Sequence, residues 1–416
     1  MITLSFHGVV RLGMGLEGGG VPSFRSDLHT PAASARLHVM TNARERCAAR
    51  RTTSWSGRSS LIEHAVCSCL PPVENSQSLN GFFSVEEHSM TVNRRRLLLG
   101  SAALLAGTAG VAGTAAAAPA GFPDYRYRRL ALVKSKLRYN PTGELIFPTI
   151  RGTKDRISGA RAAYYLYYAP HDAPGGICLA YANSLDEEFT EYPANPIISR
   201  SWPGEYSVSH VSSPHAMWND DVKRMYLYFH GENTVTRLAS SADGINFRYE
   251  KEVLSTRLMP EGTTETSYAR VFRHDLPSRG ARYVMVFMIN NRSNHRDIGW
   301  GWSANARDWT FSQTPLIRHQ DVGAVNVGGP HLLFRNNSVY VVYNTDIGSG
   351  GNILITEVGR DFSLRRHLGV FHDSLAGAPD NGRAAAPSFG TYQGREYMIY
   401  EAGDRLAGNI AIARAV

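Results

Sequence analysis

The stretch His210-Val211-Ser212-Ser213-Pro214-His215, followed by Tyr226-Leu227-Tyr228-Phe229-His230-Gly231, places three imidazoles within 21 residues. Imidazole titrates near neutral pH, so these side chains can move protons or ligate a metal. Tyr268 adds a phenol able to act as acid or base. Arg270, Arg292 and Arg383, together with His331, add cations or potential cations, and an arginine fork suits a carboxylate or sulfate. A different chemistry, hydrolysis between two carboxylates, needs them about 6.5–9.5 Å apart for inversion and about 5–5.5 Å for retention. Glu144 and Glu265 are the candidates for it, with Asp346, Asp380 and Glu401 in reserve. No cofactor is expected apart from the option of a divalent metal on the histidines, and the short His-x-His spacing of many metal sites is missing.

These residues are brought together by an internal repeat. Five segments share a short strand opened by Pro or a small residue, an aromatic-rich alternating strand, and a third strand. The third strands begin at Ile177, Thr236, Ile298, Ile353 and Ile410, at intervals of 59, 62, 55 and 57 residues. Second strands precede them at Ala163–Tyr168, Met225–Phe229, Tyr283–Phe287, Val339–Tyr343 and Glu396–Tyr400. First strands fall near Leu145–Ile150, Val211–Trp218, Tyr268–Arg273, His331–Arg335 and Ser388–Tyr392.

A three- or four-stranded repeat of this length, with no helical pattern between units, predicts an all-β, five-bladed β-propeller, with a β-sandwich as the alternative. The chain ends on a third strand, so Leu130–Val133 is expected to supply the last outer strand and close the ring. First strands then line a channel, and their starts converge on one face with the residues leaving each second strand. Asn140 and Glu144 come from blade one, and His210, Ser212, His215 and His230 from blade two. Blade three gives Glu265, Tyr268, Arg270, Asn290, Asn291 and Arg292, and blades four and five give Asn326, His331, Asp346, Arg383 and Glu401. Any one of them could simply satisfy nearby backbone. Convergence singles out the set, and its excess of cations favours an anionic ligand.

The five-blade pattern resembles the superfamily of arabinanases, fructosidases and related glycoside hydrolases. His210, His230, Tyr268 and Arg292 are similar in order and blade position to the active residues of propeller-type ulvan lyases, which have seven blades. The resemblance implies a carbohydrate-active enzyme with a carbohydrate partner. By β-elimination on a uronate, His210 or His230 and Tyr268 would form the acid/base pair, with Arg292 or Arg270 neutralising the carboxylate and His215, His331 and Arg383 in supporting contact. By hydrolysis, Glu144 and Glu265 would act. Against hydrolysis, that superfamily has an Asp at the first blade's opening and a later Glu-Gly-Pro-like segment, where this chain reads Pro141-Thr142-Gly143-Glu144-Leu145 and Thr263-Thr264-Glu265-Thr266-Ser267. A non-catalytic glycan-binding propeller is a third class, with Trp202, Trp218, Trp300 and Trp302 as platforms, although alternating Trp300-Gly301-Trp302 better suits packing between blades.

The propeller is expected over residues 122–416. Residues 1–89 mix Arg, Ser, His and Cys without sustained apolar periodicity and read as a disordered or spurious leader. Residues 90–118 read as a twin-arginine signal peptide: Asn93-Arg94-Arg95-Arg96-Leu97-Leu98-Leu99, an Ala/Gly/Leu run, then Thr114-Ala115-Ala116-Ala117-Ala118-Pro119. That run is too weakly apolar for a membrane anchor. Removing residues 1–118 takes away 11 arginines and 7 acidic residues, leaving 33 basic against 29 acidic and lowering the net charge from +8 to +4. Nucleic-acid binding therefore has little support. Only Cys178 is left, so an internal disulfide is ruled out, and the expectation is an exported monomer. N-terminal sequencing of the exported protein should begin at or just after Ala118, and replacing Arg94 and Arg95 with lysine should keep the precursor inside the cell; export of that variant at the normal level would count against the signal.

Overall fold

A computed structural model describes residues 48–56, 60–68, 118–345 and 351–416. The chain separates into two units, Met1–Leu105 and Ala106–Val416. In the first, Ala48–Ser56 and Ser60–Ser68 pair as an antiparallel hairpin. The rest of the leader, the signal segment before Ala118, and Asp346 lie outside the described residues.

The second unit carries five four-stranded antiparallel sheets. Blade one comprises Ile146–Gly152, Tyr164–Ala169, Cys178–Ala182 and Thr190–Glu191. Blade two comprises Val211–Asn219, Arg224–Gly231, Val235–Ser241 and Arg248–Ser255. Thr263–Leu276, Ala281–Asn291, Arg296–Ser303 and Thr310–Phe311 form blade three. Val327–Arg335, Ser338–Thr345, Ile353–Glu357 and Arg366–His372 form blade four. Blade five takes Ala384–Tyr392, Arg395–Ala402 and Asn409–Ala415 from the C-terminal end, and its outer strand from the N-terminal side. That closing strand is Tyr125–Leu130, not Leu130–Val133; Ala411 faces Leu130 and Ala415 faces Tyr125. Val133 instead leads into a short 3-10 turn, Lys134–Lys136.

Second strands are apolar on both faces because each is covered by a neighbouring blade. Tyr165, Leu166, Tyr167 and Tyr168 are all fully buried. The five hydrophobic clusters sit one at each junction between blades. Trp300 packs across one junction, stacked at 7° on Phe362 of blade four.

The inner strands share one irregularity. Each carries a register shift, at Ile146/Thr149, Ser212/His215, Ser267/Arg270, Gly328/His331 and Ala385/Ser388. Within each shift one residue adopts left-handed φ: Phe147, Ser213, Tyr268, Gly329 and Ala386, at 45° to 56°. Four of the five are not glycine, and such backbone persists only where its surroundings enforce it. Gly329 has its own reason, since a Cβ there would lie 2.5 Å from Asn344 Oδ1 and 3.0 Å from Ala386 Cα.

A β-bulge re-aims the side chains that follow it. Two residues beyond each left-handed position come Thr149, His215, Arg270, His331 and Ser388, all buried, and they are knitted across the blades. Arg270 donates to Thr149 Oγ1 of blade one, to the Pro148 carbonyl and to the Ala386 carbonyl of blade five, each at 3.1 Å. Its guanidinium lies 4.1 Å from the centre of the Phe147 ring. Thr149 Oγ1 donates onward to the Pro214 carbonyl at 2.8 Å. Replacing Arg270 by Met keeps much of the volume but orphans two buried carbonyls, at about 1–3 kcal/mol each. Denaturant unfolding of Arg270→Met should show a loss of about 2–6 kcal/mol, whereas an unchanged midpoint would refute the wedge.

Candidate functional site

Above the Arg270 wedge lies a small cavity of about 20 Å³. Its lining follows from the repeat. The left-handed residues Phe147, Tyr268, Gly329 and Ala386 form one tier, and Met288, Asn344 and Glu401 of the second strands form another. His171, Arg383 and Arg405 complete the polar wall.

The His210, His230 and Tyr268 rings adjoin one another, and of the three Tyr268 lines the cavity while the two imidazoles lie beside it. The His210 and His230 rings are 6.1 Å apart and the His230 and Tyr268 rings 5.5 Å, both edge to face. The Tyr268 backbone N–H points at His230 Nδ1 at 3.4 Å. Asn233 Oδ1 lies 3.2 Å from His210 Nε2, and Ser209 Oγ 3.0 Å from His210 Nδ1. Burial, reinforced by His210, His171 and Arg237, drives the His230 pKa well below the usual imidazole value, so the ring is neutral at neutral pH. Burial raises the Tyr268 hydroxyl above the usual phenol value even though Arg405 beside it pulls the other way, so it keeps its proton.

The remaining candidates separate. Arg270 and His215 are fully buried and His331 nearly so, and none of them lines the cavity. In an unbroken strand Tyr268 and Arg270 would share a face; the bulge sends Tyr268 into the cavity and Arg270 into the channel beneath it. His215 Nε2 donates to the Val271 carbonyl at 2.7 Å, and His331 Nδ1 to the Leu332 carbonyl at 2.9 Å. Arg292 sits exposed in the turn after Asn291, since Met288 occupies the cavity position of blade three. Arg383 does line the cavity, 2.7 Å from Glu401 in a buried ion pair.

Among the described carboxylates, only Glu401 lines the cavity, bound by Arg383 and by the Phe147 N–H at 2.8 Å. Glu144 lies behind it, 1% exposed, accepting from the Leu406 N–H at 2.7 Å, while its other oxygen, Oε2, has no hydrogen-bond partner. Burial first, then Glu401, raises the Glu144 pKa. Glu265 is held by Ser267 Oγ at 2.8 Å and Arg296 at 3.4 Å. Asp380 is fully buried against Tyr400 and the Leu375 N–H.

Two cavity residues escaped the sequence reading. His171 lies two residues past the second strand of blade one, where the convergence rule, extended to that blade, would have found it. Arg405 lies in the loop between the last two strands, which no periodicity marks. Its Nη2 is 3.1 Å from His171 Nε2. Burial opposes the Arg405 charge, but Tyr268, Glu401 and Glu144 outweigh it and raise its pKa. Lys134 Nζ anchors this loop by donating to the carbonyls of Gly143 at 2.8 Å and Ala407 at 2.7 Å. Among the described residues, no group of three His, Cys, Asp or Glu side chains is arranged to hold a metal ion.

No protein-family model and no curated protein matches this chain. Solved structures do. A protein described as a glycoside hydrolase is 14% identical, with 71% of this chain covering 92% of that one at a TM-score of 0.54. A glycosyl hydrolase from Bacteroides ovatus is 10% identical, at 70% and 93% coverage and a TM-score of 0.52. A thermostable family-43 glycoside hydrolase is 12% identical, at 65% and 89% coverage and a TM-score of 0.50. These neighbours are five-bladed propellers, and the likeness establishes that fold for this chain.

Burial holds His215, His230 and His331 well below the usual value of 6.5 and His372 at about 4. An unfolded chain protonates these rings near 6.5, so it binds more protons than the folded one below that pH, and stability falls as the solution is acidified. Glu144 and Asp380, raised by burial, contribute in the opposite sense. The expected outcome is a denaturant midpoint that drops between neutral pH and about pH 4.5, with a shallower drop in His215→Gln; a midpoint independent of pH would contradict neutral burial of these rings.

Proposed function

We propose that the protein is a carbohydrate-active enzyme that cleaves an acidic, uronate-containing glycan by β-elimination, working as an exported monomer outside the cytoplasmic membrane. The observation that carries this reading is the composition of the cavity wall: Tyr268, two arginines and a histidine next to the His210–His230 pair, with Glu401 as the sole carboxylate among the described residues. The neighbours described as glycoside hydrolases support a role on glycans.

β-Elimination breaks the C–H bond α to a carboxylate, forms a C=C bond and expels the glycosidic oxygen. The base must be unprotonated, which the depressed pKa of His230 provides. The leaving oxygen needs a proton, which Tyr268 retains at neutral pH. The enolate-like charge that develops on the substrate carboxylate needs a fixed cation. Arg405 supplies it, beside Tyr268 and not consumed by an ion pair as Arg383 is by Glu401. Arg405 thus takes the part first assigned to Arg292 or Arg270.

A hydrolytic reading rests on one observation: buried Glu144, raised in pKa and with Oε2 in no hydrogen bond and 3.7 Å from His171 Nδ1, has the character of a general acid, and Glu401 would be its ionised counterpart. Among the described residues it lacks a second carboxylate on the cavity wall, and Pro141-Thr142-Gly143-Glu144-Leu145 and Thr263-Thr264-Glu265-Thr266-Ser267 depart from the hydrolase superfamily's opening Asp and Glu-Gly-Pro-like segment.

Incubation with uronate-containing glycans should give products with the ultraviolet absorbance of an unsaturated uronate. Tyr268→Phe and His230→Gln should each lower kcat by about 10²- to 10⁴-fold with unfolding midpoints little changed. New reducing ends without that absorbance would establish hydrolysis instead, and binding without either product would leave a glycan-binding protein.

A further inference from the structure

A second cleft opens at the other end of the same strands. Its walls come from the hairpin following the inner strand of blade one, the hairpin following the inner strand of blade two, and the start of the loop after Ser241. His210 precedes the strand Val211–Asn219 and Trp218 lies near its far end. At about 3.3 Å per residue the cleft is therefore some 25 Å from the His210 site.

Lys154, Arg156 and Lys223 line this cleft, all exposed, and none forms a side-chain hydrogen bond or ion pair among the described residues. Asp155 and Asp220 line it too, while the next residue, Asp221, is turned away to Arg282 at 2.9 Å and Tyr283 at 2.8 Å. Behind the wall, the guanidinium of Arg151 donates to the carbonyls of Ala216 and Ile150 and meets no carboxylate. Its pKa is pushed down to about 10, by burial and then by Arg156, which places the two cations within each other's field. Trp218 is half-buried, its indole packed on the blade-one and blade-two cluster on one side and bordering the cleft on the other.

An indole face offers apolar area to the C–H face of a sugar ring, and unpaired cations around it offer partners to a carboxylate on that ring. Four cations against two carboxylates set the sign of the field. We infer that this cleft is a second glycan-binding site, taking a segment of acidic polysaccharide on Trp218 with Lys154, Arg156 and Lys223, and holding the polymer to the enzyme away from the reacting bond. The inference rests on the acidic-glycan reading of the cavity for its choice of ligand.

Affinity electrophoresis in polygalacturonate, in a Tyr268→Phe background so that the polymer stays intact, tests it. Adding Trp218→Ala, or Lys154→Gln with Arg156→Gln and Lys223→Gln, should weaken retention about fivefold or more, and added salt should weaken it in the parent but little in the triple variant. In the otherwise wild-type enzyme the same changes should leave turnover of a short uronate oligosaccharide unaltered. Retention unchanged by both sets of substitutions, or equal Trp218-dependent retention in neutral arabinan, would overturn the acidic-glycan site. Absence of unsaturated product from any uronate glycan, with Trp218-dependent retention intact, would instead remove the catalytic reading and leave the second site standing.

Discussion

The wedge of Arg270 into the centre of the ring is the contact on which the rest of this structure depends. One guanidinium from blade three bonds to both blade one and blade five, the first and last blades of the ring. It can do so because each inner strand bulges at the same position, and the bulges turn one set of side chains upward and the next set inward. A regular ladder would put Tyr268 and Arg270 side by side. The bulge divides them between a polar cavity and its floor.

Closure of the ring also shapes the chemistry. The loop carrying Arg405 joins the last two strands of the blade completed by Tyr125–Leu130. Lys134 follows that closing strand closely, and its ammonium ties the loop to Gly143 at the entry to blade one. Glu144 holds the same loop from below through the Leu406 N–H. Two residues from the first blade's approach thus fix a cation from the last blade beside Tyr268, and a carboxylate that reads in sequence as a catalytic acid is engaged in positioning. Glu401 is likewise committed, to Arg383 and to the backbone of the bulge at Phe147.

The repeat was legible in the sequence because strand alternation and aromatic-rich second strands survive as pattern: all five second and third strands fall where their spacing puts them. His210, His230 and Tyr268 were legible as a group for the same reason. Bulges were not legible, since one inserted residue leaves no compositional mark beyond a Pro after Phe147, Ser213, Gly329 and Ala386 and changes which face every later side chain takes. That single limitation accounts for the placement of Arg270, His215 and His331 below the cavity. Arg292 was misplaced because the second strand of blade three runs on to Asn291, past the cavity position at Met288. The closing strand was sought about five residues too late, where apolar Leu130–Val133 reads more like a strand than the alternating Tyr125–Leu130 does.

The proposed elimination turns on which group meets the carboxylate of a uronate substrate. A crystal structure of Tyr268→Phe with a uronate oligosaccharide bound would answer it directly. The carboxylate is expected against Arg405, with the adjacent carbon facing His230 and the bridging oxygen facing position 268. A glycosidic oxygen lying instead between Glu401 and a second carboxylate, with Arg405 away from the sugar, would contradict the elimination chemistry and assign the cavity to hydrolysis.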